Sequence, residues 1–344
     1  MLSDRMTKLG TDCVAGLTRR WYETGAPVPA GLRALAALYR GVVAIRRRLY
    51  LNGWRRIERL PVPVLVVGNI SVGGTGKTPL VIALVEILRA AGFCPGVVSR
   101  GYGGRAKHWP QRVTALSEPL EVGDETVLIA LRAGCPVMAG PDRVVAARAL
   151  REGGCDAIVS DDGLQHYRLG RDVEIAVVDG ARGLGNGLCL PAGPLREPPE
   201  RLQAVDFVVR NGGDARPGEF LMRLGGNAAV RLGDGQTRPL ASFAGRKVRA
   251  LAGIGNPERF FDHLRAFGLD VEARAFPDHH VFRAEDLTWG EDVPLLMTEK
   301  DAVKCRAFSR ESLWSVPVRA VLPPEFAASV LNLLRTQTHG RQTA

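Results

Sequence analysis

Gly68-Asn-Ile-Ser71-Val-Gly73-Gly74-Thr75-Gly76-Lys77-Thr78 lies between an apolar run at 62–67 and the helix-forming segment PLVIALVEILRAAG at 79–92. A loop that holds phosphate needs successive backbone N–H groups turned inward, which a glycine-rich turn allows. It also needs a Lys to reach the β- and γ-phosphates and a hydroxyl to hold Mg²⁺. Ser71, Gly73, Gly74, Thr75, Gly76, Lys77 and Thr78 supply these at the N-terminus of a helix, where the dipole favours anions. The strict pattern begins with Gly where this chain has Ser71, and the strand–loop–helix context carries the reading past that departure. A glycine-rich structural turn is the plain alternative.

Outward from the loop, short apolar runs at 96–99, 136–139, 157–160, 174–179 and 205–209 alternate with helical stretches, of which 142–152 is the clearest. That rhythm predicts an α/β fold: a doubly wound, mostly parallel sheet of the P-loop NTPase type. Between 211 and 241 the pattern loosens into Gly-rich, polar sequence. A second α/β rhythm then runs through 248–252, a helix at 257–267, 271–276 and 294–297. The expected division is a basic region at 1–60, a nucleotide-binding unit at 61–225, a smaller α/β unit at 226–335 and a tail at 336–344.

An apolar run that ends in a carboxylate is the expected partner of a phosphate loop, because the Asp holds the metal directly or through water. AIVS at 157–160 leads into Asp161 and Asp162, so one of this pair, together with Thr78, is the candidate metal ligand. Asp after a strand is also an ordinary turn former. His166 either orients a carboxylate or caps the turn.

Charge is unevenly placed. Twelve Lys/Arg stand against four Asp/Glu in residues 1–60, within a net charge of +10 for the 344-residue chain. Leu35, Val42 and Leu49 recur every seven residues, as do Leu38 and Ile45. Arg33, Arg40 and Arg47 recur at the same interval on the opposite side. The pattern predicts a basic amphipathic helix with its apolar arc in a membrane interface. A helix packed on its own domain is the alternative reading. Nucleic-acid binding is not expected, since no recognition motif accompanies the charge. The longest uncharged run there, 34–39, is far short of the roughly 20 residues a membrane span needs. MLSDRMTKLG at the start has no apolar core, so a cleavable signal is not expected. Six scattered cysteines without a C-x-x-C pair speak against a disulfide framework or zinc site and favour a reducing compartment.

The loop, VVSRGYGG (97–104), GDE (123–125), DDGLQH (161–166), GPLREP (193–198), FPDHHVF (276–282) and MTEKDAVK (297–304) occur in this order. Together, over roughly 30–335, they resemble the tetraacyldisaccharide 4'-kinase family, whose own loop follows the form GNI-x-x-GGTGKTP, so Ser71 is no departure from it. The resemblance implies transfer of the ATP γ-phosphate to the 4'-hydroxyl of an acylated glucosamine disaccharide 1-phosphate, giving the lipid A precursor lipid IVA. ATP and Mg²⁺ are the implied cofactors. The implied location is peripheral, on the cytoplasmic face of the bacterial inner membrane, with no obligate protein partner expected.

In the family an Asp of the GDE segment, assisted by a His from the second domain, takes the hydroxyl proton; these fall on Asp124 and His279. From the residues alone Asp124 reads as a helix N-cap, and His280 is an alternative to His279. Glu197 is a candidate for metal or substrate contact, with a surface salt bridge as the other reading. Arg100, beside two glycines, is a candidate phosphate contact, and 298–301 either lines the site or caps a helix. The rival functions are a partitioning- or metallochaperone-type P-loop ATPase acting as a membrane-associated switch, and a non-catalytic nucleotide sensor. The first shares the loop and the Asp pair but gives no reason for GPLREP or FPDHHVF.

Overall fold

A computed structural model describes residues 20–23, 25–288, 293–308 and 311–342. The signal-peptide reading of the first ten residues lies outside these. The basic segment forms α1 (Ala30–Leu51). One side docks: Ala36 is buried, Tyr39 donates its hydroxyl to the Arg196 carbonyl at 3.2 Å, and Tyr50 meets the Tyr167 ring at 5.9 Å. Arg40, from the arginine stripe, pairs with Glu200 at 3.1 Å. Leu35, Leu38, Val42 and Ile45 form the opposite side and stay open, with Leu38 67% exposed. Among the described residues no helix is long and apolar enough to cross a membrane.

The chain then enters β1 (Val64–Gly68), every residue of which is buried, as a central parallel strand must be when helices cover both faces. The phosphate-loop segment follows, and α2 (Lys77–Ala90) starts two residues before the predicted Pro79. Next come β2 (Pro95–Ser99), β3 (Gln111–Val113), α3 (Asp124–Arg132), β4 (Val137–Ala139) and α4 (Arg143–Glu152). Asp142 caps α4 by accepting from the Val144 N–H at 3.0 Å, which explains why that helix was so clear in sequence. β5 (Ala157–Ser160), β6 (Val173–Asp179), β7 (Phe207–Asn211) and β8 (Glu219–Gly225) complete the rhythm.

A second sheet is built from β9 (Ala228–Arg231), β10 (Thr237–Pro239), β11 (Lys247–Ala252), β12 (Asp270–Ala275), β13 (Leu295–Thr298) and β14 (Leu313–Val316). Between β11 and β12 lies α5 (Pro257–Ala266), which buries Phe260, Phe261 and Leu264 against the sheet. β15 (Arg319–Val321) and α6 (Pro324–Gln342) end the chain.

The first sheet has the order β15-β8-β7-β6-β1-β5-β2-β4-β3; its seven inner strands are parallel and both edge strands antiparallel. The second runs β10-β9-β14-β13-β11-β12. The α/β class and the second, smaller sheet are as expected. The smaller unit is shorter than the expected 226–335, however. After Val316 the chain returns: Arg319 pairs with Gly225, and Phe326, Val330 and Leu334 of α6 join the first sheet's core. The expected tail from 336 continues that helix as far as Gln342. A three-residue edge strand carries no period to read, and its partner lies about a hundred residues away.

Candidate active site

The phosphate loop leaves β1 at the carboxyl edge of the first sheet, where open α/β sheets bind ligands. Gly76 has φ +89, and a Cβ there would come within 2.3 Å of the Asn211 side-chain nitrogen, so only glycine fits. That same Asn211 Nδ2 donates to the Thr75 carbonyl at 2.9 Å, while its Oδ1 accepts from Arg259 at 2.7 Å. GPLREP braces the loop from the other side: the Val72 N–H donates to the Pro194 carbonyl at 2.8 Å and the Arg196 N–H to the Ile70 carbonyl at 2.6 Å. A cavity of about 310 Å³ opens between the loop and the second sheet, lined among others by Lys77, Thr78, Glu125, Asp278 and Lys300.

Lys77 Nζ lies 3.5 Å from Asp162 Oδ1 and 3.4 Å from Asn69 Oδ1. Arg196 Nη1 donates to both Asp162 oxygens, at 3.1 and 3.3 Å. Burial opposes ionisation of Asp162, but Lys77 and Arg196 outweigh it and hold the carboxyl below its usual range. Asp161 behaves oppositely. Burial, with Glu125 and Asp162 adding to it, pushes its carboxyl up to about 7. Ser99 donates to its Oδ2 at 3.1 Å, while its Oδ1 is buried with no hydrogen-bond partner. A carboxylate oxygen left orphaned next to a phosphate loop suits a cation brought in with the phosphates. Among the described residues no cluster of three or more His, Cys, Asp or Glu side chains forms a self-sufficient metal cage.

Asp124 opens α3 next to Gly123, and its Oδ1 accepts from the Glu125 N–H at 2.8 Å. It also meets a residue from the other sheet: His279 Nδ1 lies 3.1 Å from Asp124 Oδ2 and 3.2 Å from Oδ1. Burial opposes ionisation of Asp124, yet the His279 hydrogen bond and the Lys300 and Lys304 charges bring its carboxyl below the usual range. The same hydrogen bond raises His279, against burial and the Lys300 charge. Tyr102, from the VVSRGYGG segment, places its ring 5.1 Å from the imidazole. His280 points elsewhere, with Nε2 3.0 Å from Asp286 and its ring between Phe276 and Phe282. Asp162 (φ 46) and His279 (φ 61) are the non-glycine residues with positive φ among the described ones. Such strain costs on the order of 1–3 kcal/mol each and collects at functional sites.

The sequence model of the tetraacyldisaccharide-1-P 4'-kinase family matches residues 29–335. The chain belongs to the tetraacyldisaccharide 4'-kinase family. It is 54% identical over 323 residues to the tetraacyldisaccharide 4'-kinase of Stenotrophomonas maltophilia (strain R551-3), covering 91% of this chain and 95% of that one. To the Nitrosococcus oceani enzyme it is 52% identical over 320 residues, covering 93% and 94%. A crystal structure of LpxK from Aquifex aeolicus in complex with ATP superposes with TM-score 0.74 at 29% identity, covering 88% of this chain and 98% of that one. Membership in a kinase family disfavours both the switch-type ATPase and the non-catalytic sensor.

Other residues singled out in this kinase's sequence fall differently. Glu197 is buried rather than at the surface. It accepts from Tyr167 and, at 2.9 Å, from Gln165, with Arg201 3.7 Å away, so it braces the loop's support instead of facing a ligand. His166 is half-buried, its Nε2 unpartnered, and burial followed by the Arg143 charge lowers it to about 4; its backbone N–H closes the turn on the Gly163 carbonyl at 2.9 Å. Arg100 is exposed at the end of β2. The 298–301 segment does both things considered for it: Thr298 caps the helical turn Glu299–Ala302 through the Asp301 N–H at 3.2 Å, and Thr298, Glu299 and Lys300 line the cavity.

The sequence alone does not single out Asn211 or Arg196, and it offers Lys300 only within the 298–301 segment. Arg196 was visible within GPLREP, yet nothing local marked it as the partner of Asp162. Asn211 and Lys300 lacked any local signal beyond a strand end and a motif position.

Proposed function

We propose that this kinase transfers the γ-phosphate of ATP to the 4'-hydroxyl of a tetraacyldisaccharide 1-phosphate, giving the bis-phosphorylated lipid A precursor. The observation that carries the reading is the contact of Asp124 with His279 beside a phosphate loop. A sugar hydroxyl is a poor nucleophile, so a base must take its proton as the new O–P bond forms and the bond to ADP breaks. Asp124, ionised and buried, is that base, and His279 orients it and steadies its charge. Lys77 and the loop N–H groups hold the ATP phosphates. Mg²⁺ carried in with ATP would take Thr78 and one of Asp161 and Asp162 as its protein ligands, and would offset charge on the β- and γ-phosphates.

An open cavity of about 100 Å³ beside the pair, lined by Tyr102, Glu118, Leu120, Val281 and Lys304 among others, is where the acceptor hydroxyl would approach Asp124. α1 supports a peripheral position on the cytoplasmic face of the inner membrane. Its apolar side is open and flanked by arginines, so acyl chains stay in the bilayer while the sugars reach the site. The test is ADP release with and without a detergent-solubilised acylated disaccharide phosphate. Release that depends on the acceptor is expected; release that ignores it overturns the reading.

A further inference from the structure

Lys300 stands in the turn Glu299–Ala302, which follows β13 of the second sheet, and its ammonium crosses to the first unit. Nζ donates to Glu125 Oε1 at 2.8 Å and to Asp278 Oδ1 at 3.0 Å. Glu125 is the residue after Asp124, and Asp278 is the residue before His279. One ammonium therefore spans both arms of the Asp124–His279 contact, at neighbouring positions. Its side chain is only 13% exposed, so this is not a loose surface pair worth next to nothing. The turn that carries it is itself held. Asp301 accepts from the Gly253 N–H at 3.0 Å, and Glu299 pairs with Arg132 of α3. Without the lysine, Glu125 and Asp278 would present two carboxylates to each other across the closure, with no cation between them.

We propose that Lys300 is a positioning residue for phosphoryl transfer: by holding Glu125 and Asp278 it sets the approach of His279 to Asp124 when the two units close. This rests on the kinase reading of the site. Lys300 hydrogen-bonds to neither member of the pair; it holds their neighbours, and its charge also bears on both Asp124 and His279. Geometry of this kind is what catalysis is most sensitive to, because a misplacement of about 1 Å can cost on the order of a hundredfold in rate.

The experiment compares Lys300→Met and Lys300→Arg with the wild-type full chain at saturating ATP and acylated disaccharide phosphate. Lys300→Met is expected to lower kcat by about tenfold or more at saturating nucleotide and acceptor, as loss of an orienting contact does. Lys300→Arg should recover most of the loss, since the charge and reach survive. In a His279→Ala background, Lys300→Met should cost under about threefold, because the contact it positions is already gone. Should Lys300→Met fail to fold, Glu125→Gln/Asp278→Asn removes the acceptor charges instead and should show the same fall in kcat.

An unchanged kcat in Lys300→Met overturns the proposal. So does a full-sized loss in the His279→Ala background, which marks a merely structural lysine. A wild-type chain without acceptor-dependent transfer overturns the kinase reading itself, and is distinct from either result.

Discussion

Asp124 and His279, 155 positions apart, meet at 3.1 Å where α3 of the first unit faces the loop after β12 of the second. If the carboxylate accepts the hydroxyl proton and the imidazole orients it, the two act as one unit. Asp124→Ala should lose about 10²–10⁴-fold in kcat, the usual range for a general base. Asp124→Ala/His279→Ala should be little worse than the more damaged single variant. A double-mutant cycle on turnover, with nucleotide affinity measured alongside, checks this. Fully additive losses would separate the two residues.

The same contact makes stability depend on pH. His279 is raised from its ordinary 6.5, so its contribution is whole below 6.5 and is lost as pH rises through the folded value. Asp124 is lowered from 3.8, so its contribution is whole above 3.8 and is lost as pH falls through its folded value. The Tm difference between wild type and His279→Ala should therefore be largest between about pH 4 and 6 and shrink on both sides. A difference that grows from neutral to alkaline pH would contradict the assignment.

If Lys77 is the loop's cation for the β- and γ-phosphates, as proposed, Lys77→Ala should abolish transfer. Turnover within about tenfold of wild type, a barrier change under ~1.4 kcal/mol, would take the loop out of the mechanism.

Arg196 donates through Nη1 to both Asp162 oxygens and, with Lys77, favours its charged form. If Asp162 is the metal ligand proposed above, losing such an outer partner typically costs about 10–100-fold in metal affinity. Arg196→Met should therefore raise the Mg²⁺ concentration needed for half-maximal rate by about tenfold or more. A Mg²⁺ titration that superposes on wild type would remove Asp162 from the metal's surroundings.

Leu38 and Val42 stand open on α1, 67% and 57% exposed. Leu38→Glu/Val42→Glu should leave stability within about 0.5 kcal/mol per site, because neither side chain packs on the body. Binding to vesicles containing anionic phospholipid should fall sharply, as a charged residue replaces apolar area in the interface. Unaltered vesicle binding in sedimentation would detach α1 from the membrane role.

Where the residues speak to near neighbours, the sequence was legible. Strand β5 at 157–160 was read to the residue, α4 was marked by its Asp142 cap, and the phosphate loop by glycines whose spacing has a mechanical reason. These features depend on contacts within a few residues, and periodicity or turn chemistry reports such contacts directly. The ordered motifs added the pairing of Asp124 with His279, which no local pattern contains.

Glu197 shows where that legibility stops. Between Arg196 and Pro198 it looks like a surface charge, but Tyr167 and Gln165, about thirty residues upstream, enclose it. The return of β15 to β8, the contact of Arg196 with Asp162 and the reach of Lys300 to Glu125 and Asp278 have the same character. Each depends on which surfaces the two sheets turn toward one another, a property of register and packing summed over the whole chain. The sequence by itself determined that this chain has a phosphate loop on a parallel sheet, a second α/β unit and a basic helix. Only the tertiary structure decided which charges face which, because burial and partner distance, not residue type, set whether a carboxylate serves as base, ligand or brace.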